Sequence, residues 1–177
     1  MIITRTPLRI SFVGGGSDLK EYYKKSNGGV ISATIDKYIY VIIKERFDNK
    51  IIINYTKREI VDTVRNIKHD LVRETLRKTG VDKGIEIMTP ADIPSEGSGL
   101  GSSSSLIVGL LNALYTYKGI QVTAETLAKE ACEIEIDILG KPIGKQDQYS
   151  AAFGGLNKII FKSDNFEVKE GDIITID

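Results

Sequence analysis

The 177-residue chain has little of several things, and each shortage excludes a class of chemistry. Cys132 is the only cysteine, so neither an intrachain disulfide framework nor a thiolate metal cluster is available. His69 is the only histidine. A serine–histidine catalytic pair would rest on that one residue, which sits in a polar, helix-like stretch where a surface position is expected. There is no excess charge of either sign: 24 Lys and Arg balance 24 Asp and Glu. That balance argues against a nucleic-acid or membrane-surface protein, whose electrostatic footprint is basic. No apolar run reaches the ~18 residues of a membrane span. The N-terminus lacks the charged-then-apolar layout of a secretory leader, so a cytoplasmic protein fits best. With 41% hydrophobic and 27% charged residues, the chain reads as one ordinary globular domain over 1–177.

What is present is a pattern of strands, then helices, then strands. Residues 2–13 are β-branched and apolar and end in Gly14-Gly15-Gly16. Residues 18–25 read as a short helix, with Asp18 and Glu21 spaced as a capping box and Gly28-Gly29 breaking it. Residues 30–46 carry strand-like runs, and residues 50–55, after the Asp48-Asn49 turn, read as their hairpin partner. Ile67, Leu71, Val72 and Leu76 fall at helical spacing up to Gly80, and residues 85–88 are strand-like. An apolar helix is expected from Leu106 to Gly119, and a second, capped by Thr123, to about Leu139. Residues 156–161 and the pair 165–168 and 173–176 read as closing strands. This order predicts an α+β domain rather than a βαβ repeat.

Between strand 85–88 and the apolar helix lies Gly97-Ser98-Gly99-Leu100-Gly101-Ser102-Ser103-Ser104-Ser105. Glycines at alternate positions let backbone N–H groups approach a ligand, and a glycine-rich turn feeding a helix N-terminus favours an anion, most often phosphate. The two commonest phosphate loops do not fit. The run has no lysine for a Walker A loop, and Ser102 and Ser104 stand where a dinucleotide fingerprint could place its third glycine. A flexible linker is the plain alternative, but linkers do not normally sit between a strand and a strongly apolar helix. Glu135 is the other outlier. Its helical neighbours Ala128, Ala131, Cys132, Ile138 and Leu139 form an apolar stripe, so a lone carboxylate falls on a buried face and needs a partner. A metal ion or a salt bridge would serve.

The glycine–serine run, preceded by Pro94, resembles the second motif of the GHMP kinases, with a spacer one residue longer than usual. Residues 7–18, Pro-Leu-Arg-Ile-Ser-Phe-Val-Gly-Gly-Gly-Ser-Asp, are similar to the first motif. Gly144-Lys145-Gln146-Asp147-Gln148 is similar to the segment that carries the family's catalytic aspartate. The likeness covers nearly the whole chain and is strongest to the branch acting on D-glycero-D-manno-heptose 7-phosphate. The resemblance implies a domain like the second domain of ribosomal protein S5, ATP and Mg²⁺ as cofactors, and phosphoryl transfer to a sugar hydroxyl, here the anomeric one of the heptose phosphate.

By the same resemblance, residues 97–104 (Gly97, Ser98, Gly99, Leu100, Gly101, Ser102, Ser103 and Ser104) would hold the nucleotide. Ser103 and Glu135 would bind the metal. Asp147 would accept or orient the acceptor's proton, with Arg9 beside it to keep the carboxylate ionised. Gly16, Ser17 and Asp18 would bind the sugar, although Asp18 also reads as a plain helix cap, Arg9 as a surface arginine and Gln148 as a structural hydrogen-bonding residue. Gly15-Gly16 stands where galactokinases have Glu-His, which leaves room for a larger or phosphorylated sugar. Tyr38 and Tyr40 read as strand packing rather than an adenine platform. The resemblance also implies a further C-terminal domain with a third glycine-rich motif, which this sequence lacks. The chain is therefore expected to be the N-terminal half, to meet a C-terminal half or a second copy, and to turn over weakly alone. A fucose- or hexose-type sugar 1-kinase and a non-catalytic nucleotide-binding module remain the rival readings.

Overall fold

The computed structural model describes residues 1–94, 98–162 and 166–170, the last of these as backbone only. Its spine is β2 (Gly28–Glu45), an 18-residue strand. β1 (Ile2–Val13) runs antiparallel along one edge of β2, from Ile2 opposite Ile43 to Val13 opposite Ile31. The other edge is shared. β5 (Ile85–Met88) pairs with one end of β2, and β6 (Leu156–Phe161) pairs with the other. β3 (Ile51–Asn54) and β4 (Arg58–Val61) extend the sheet beyond β5, and β7 (Phe166–Glu170) extends it beyond β6.

The predicted α+β order holds, but the predicted hairpin of residues 50–55 with β2 does not form. β5 lies between them, antiparallel to β2 and parallel to β3. The reason is burial. Ile51, Ile52, Ile53, Ile85 and Ile87 are all covered, and a central position suits β-branched runs better than an edge. β3 makes its hairpin with β4 instead. Gly28-Gly29 does not break a helix but opens β2. Residues 166–170 pair with β6, while the expected strand 173–176 lies outside the described residues.

Helices pack against this sheet. α1 (Lys20–Tyr23) is a single turn. α2 (Asp70–Thr79) stops at Gly80, which takes the left-handed conformation (φ +69°) and lets Val81 N–H reach back to Leu76 O. α3 (Ser102–Tyr117) begins at the serines, four residues before its first leucine. Its Leu110, Ala113 and Leu114 face the sheet core with Val41, Ile43 and Leu76, whereas Ile107 and Leu111 meet Leu127, Ile134 and Ala151 on the helices behind. α3 comes close to β1 at Gly109. A Cβ there would lie 2.7 Å from Thr6 Oγ1, and Thr4 Oγ1 donates to Gly109 O at 2.9 Å.

The helix capped by Thr123 is not one α-helix. α4 (Ala124–Cys132) passes into a π-helical segment, Glu133–Ile138, and after the turn at Gly140 the chain re-enters a helix, α5 (Gln146–Phe153). Thr123 Oγ1 does cap α4, accepting from Thr126 N–H at 3.2 Å. π segments commonly occur at functional sites because the wider turn re-aims side chains. Here it carries Glu135.

Candidate active site

The glycine–serine run becomes a turn that ends in Gly101, whose φ of +78° is left-handed and favours glycine. The helix ladder starts with Ser105 N–H donating to Gly101 O at 3.0 Å, so the amides of Ser103 and Ser104 precede it and lie at the positive end of the α3 dipole. β1 fixes the turn. Arg9 N–H donates to Leu100 O at 3.1 Å, and Arg9 Nη1 donates to Gly99 O at 2.9 Å. Gly97 lies outside the described residues.

Two carboxylates converge on this helix start. Glu135 is fully buried. Its Oε1 accepts from Ser103 Oγ, and its Oε2 accepts from Ser104 Oγ at 2.6 Å and from Gln148 Nε2 at 2.7 Å. Lys141 Nζ stands 3.7 Å from Oε1 and donates to Ser103 Oγ at 3.2 Å. The apolar stripe that isolated Glu135 in the sequence thus leads to a buried carboxylate with neutral donors. Ser104, expected to turn its hydroxyl to phosphate, spends it on Glu135.

Asp147, in the first turn of α5, meets Arg9. Nε and Nη2 reach Oδ1 at 2.8 and 2.6 Å. Among the described residues no hydrogen bond is made to Oδ2, which points toward Gly101. A Cβ on Gly101 would sit a tight 3.3 Å from it, and the left-handed backbone there already favours glycine. Burial pushes the Asp147 carboxyl above the usual aspartate range. Arg9 opposes that shift, and the charges of Asp18 and Glu135 add to it. The guanidinium therefore offsets burial only in part.

Asp18 is not a helix cap. Leu19 holds the N-cap position of α1 and makes no side-chain cap. Asp18 is buried, and its carboxylate accepts from Gly16 N–H at 3.1 Å and from Gln146 N–H at 3.1 Å. It ties the first motif to the turn before Asp147. Gly144 makes room, since a Cβ there would fall 1.9 Å from Asp18 Oδ2. Ser17 Oγ accepts from Gly29 N–H at 3.0 Å and lies 2.7 Å from Gly14 O, which folds the triple-glycine turn against β2.

Two pockets flank these groups. One of about 380 Å³ is lined by Ile39, Tyr55, His69, Leu106, Ser103 and Lys141. His69 is therefore not a plain surface residue. Its ring lies edge-on to Tyr55 at 4.8 Å, and burial depresses its pKa. The other pocket, about 460 Å³, starts at Asp18 and is lined by Lys20, Lys24 and Lys145, and also by Glu133 and Asp137. Tyr38 is not stacked to receive a base: the Arg5 guanidinium lies 4.3 Å from its ring centroid. The sequence reading missed Lys141 and the π segment, and it left Gln148 without a partner. The spacing of Gln148 from Glu135 was the one available signal.

A glycine-turned helix start thus meets two convergent carboxylates on a mixed sheet. A family model described as the GHMP kinases N terminal domain matches residues 54–155, more than half of the chain, and the chain belongs to that family. It is 37% identical over 175 residues to the D-glycero-alpha-D-manno-heptose 7-phosphate kinase of Campylobacter jejuni, covering 90% of this chain and 50% of that protein. It is 27% identical over 169 residues to the galactokinase of Chloroflexus aurantiacus, covering 86% of this chain and 40% of that one. The chain thus spans about half the length, or less, of these relatives. A solved structure titled D-glycero-D-manno-heptose 1-phosphate kinase from Bacteroides thetaiotaomicron superposes with TM-score 0.88 at 32% identity, over 96% of this chain and 59% of that one. A mevalonate kinase structure, at TM-score 0.75 and 22% identity, shares the fold.

Proposed function

We propose that this chain carries the nucleotide and phosphoryl-transfer groups of an ATP-dependent sugar kinase, acting on D-glycero-D-manno-heptose 7-phosphate at its anomeric hydroxyl. The observation that carries the reading is Asp147 Oδ2, left without a described hydrogen bond beside Gly101 while Arg9 holds Oδ1. A group poised to take a proton at the mouth of a phosphate loop is what transfer to an alcohol needs. The acceptor O–H gives its proton to Oδ2, and its oxygen bonds to the γ-phosphorus. The bond from that phosphorus to the β–γ bridging oxygen breaks, and ADP leaves. Arg9 fixes Asp147 and supplies positive charge near the transferring group. The amides of residues 98–104 would cradle the polyphosphate, and the pocket of Tyr55 and His69, which Ser103 also lines, would take the nucleoside.

The donors fit Mg²⁺. Ser103 Oγ and Glu135 Oε1 are hard oxygens side by side, and an ion that keeps waters and phosphate oxygens needs no more than one or two carboxylates. Among the described residues no group of three or more His, Cys, Asp and Glu forms a protein-only cage. Mg²⁺ held by Ser103 and Glu135 would neutralise charge on the nucleotide phosphates. Gly16, Ser17 and Asp18 would shape the sugar site, with the Lys20, Lys24 and Lys145 groove suited to a substrate that already bears phosphate.

The similarity to galactokinases favours a second reading, a kinase for an unphosphorylated hexose. ADP release measured over a panel of heptose 7-phosphate, fucose and galactose separates the two. Heptose phosphate is expected to be preferred, and equal or better turnover of a neutral hexose overturns the choice of substrate. Partnering with a C-terminal half or a second copy belongs to the same proposal. The chain is expected to turn over weakly until that partner is present.

A further inference from the structure

The ammonium of Lys141 stands where the kinase reading would put a metal ion. It donates to Ser103 Oγ at 3.2 Å and lies 3.7 Å from Glu135 Oε1. These are the same two oxygens that fit Mg²⁺. Among the described residues it is the one cationic group within 4 Å of Glu135. The rest of the Glu135 shell is neutral: two serine hydroxyls and the Gln148 amide. A carboxylate sealed among neutral donors has no charge partner within that shell, and a cation at its edge is the counter-charge the geometry supplies.

Lys141 also lies at the open edge of the site. Its side chain is 28% exposed, while Glu135 is sealed. It comes from the turn after the π segment, where Lys141 N–H donates to Glu135 O at 2.9 Å. That backbone bond ties the root of Lys141 to Glu135, and the ammonium reaches the carboxylate at the end of a four-carbon stem. The stem lines the pocket shared by Ser102, Ser103 and His69, so an ammonium displaced from Glu135 stays at the phosphate side of the site.

We propose that Lys141 is a built-in counter-ion that occupies the Ser103–Glu135 pair until a metal–nucleotide complex displaces it onto the polyphosphate. The inference rests on the kinase reading. It makes metal and nucleotide bind together: a bare divalent ion must expel the ammonium with no new charge partner to offset the loss, whereas the metal–nucleotide complex brings the phosphates that receive it.

The test is Mn²⁺ binding to the full chain, followed by electron paramagnetic resonance, with and without ATP. Without nucleotide, Lys141→Met is expected to bind Mn²⁺ about tenfold more tightly than the parent, because the competing cation is gone. The gain that ATP gives to Mn²⁺ affinity should shrink by a similar factor. Lys141→Arg keeps the charge and should retain most of the parent's weak Mn²⁺ binding, which separates competition from mere damage to the turn. Unchanged or weaker Mn²⁺ binding by Lys141→Met, with Mn²⁺–ATP still bound, would overturn this inference alone. A parent that binds neither ATP nor Mn²⁺–ATP would overturn the kinase reading and this inference with it.

Discussion

Glu135 and Asp147 are two carboxylates drawn to one serine-rich helix start, and they are held in opposite ways. Glu135 is sealed, reached by two hydroxyls and an amide, with an ammonium only at its edge. Asp147 is partly open and gripped on one oxygen by a guanidinium, with the other turned to the loop. An acid whose oxygens are both reached by hydroxyl and amide donors, with an ammonium at its edge, has the geometry of a metal ligand. An acid with one oxygen clamped and one left open, and its pKa raised by burial, suits the taking of a proton. Geometry thus sets two residues of the same chemistry in different surroundings, and the proposed roles follow that difference.

The largest test of that division is Asp147→Asn. Turnover on a sugar phosphate should fall by about 10²–10⁴-fold, the usual weight of a general base, while ATP affinity stays within a few-fold. An equal loss in binding would make Asp147 a nucleotide ligand and erase the contrast with Glu135. Gln148→Leu attacks the other side. It removes one donor from Glu135 Oε2 without touching Asp147, and Mg²⁺-dependent ATP affinity should drop about 10–100-fold, the usual loss when a group that orients a metal ligand is removed. Unaltered magnesium dependence would show that Gln148 merely fills space.

Gly144→Ala sharpens the link between the sugar motif and Asp147. The new Cβ meets the Asp18 carboxylate head-on, and thermal melts should show a loss of about 1–3 kcal/mol, the range for overpacking. The smallest effect expected is on the stability of Asp147→Asn. The folded pKa of Asp147 lies above its usual 3.8, so the native state holds that proton more readily than the unfolded chain. Its contribution to stability is full below the usual value and is lost as pH rises through the raised one. At neutral pH the ionised group is therefore a cost, and Asp147→Asn should melt no lower than the parent. A clear drop in melting temperature would mean that the Arg9 ion pair outweighs burial.

Much of this site was legible in local pattern. The glycines and serines of residues 98–104 mark a turn into a helix start by composition alone, and Glu135 stood out as one acid on an apolar stripe. Arg9 and Asp147 are 138 positions apart, and only the family resemblance could bring them together. Asp18 misled because a capping aspartate and a buried, bridging one look alike in sequence. What separates them is the Gln146 amide, a partner 128 residues away. The π segment was hidden because the spacing of side chains reports which faces are apolar, not which carbonyl each N–H chooses. Likewise the run Ile51–Asn54 announces a strand but not its neighbour, and the insertion of β5 beside it is decided by burial of the whole sheet.

The most direct test is to follow the backbone amide signals of residues 98–104 in the folded chain by NMR while Mg²⁺–ATP is added to millimolar concentration. The loop amides, with Ser103 and Ser104 foremost, should shift together with Glu135 and Lys141. Loop signals that stay in place in the presence of Mg²⁺–ATP would contradict the claim that this helix start grips a triphosphate.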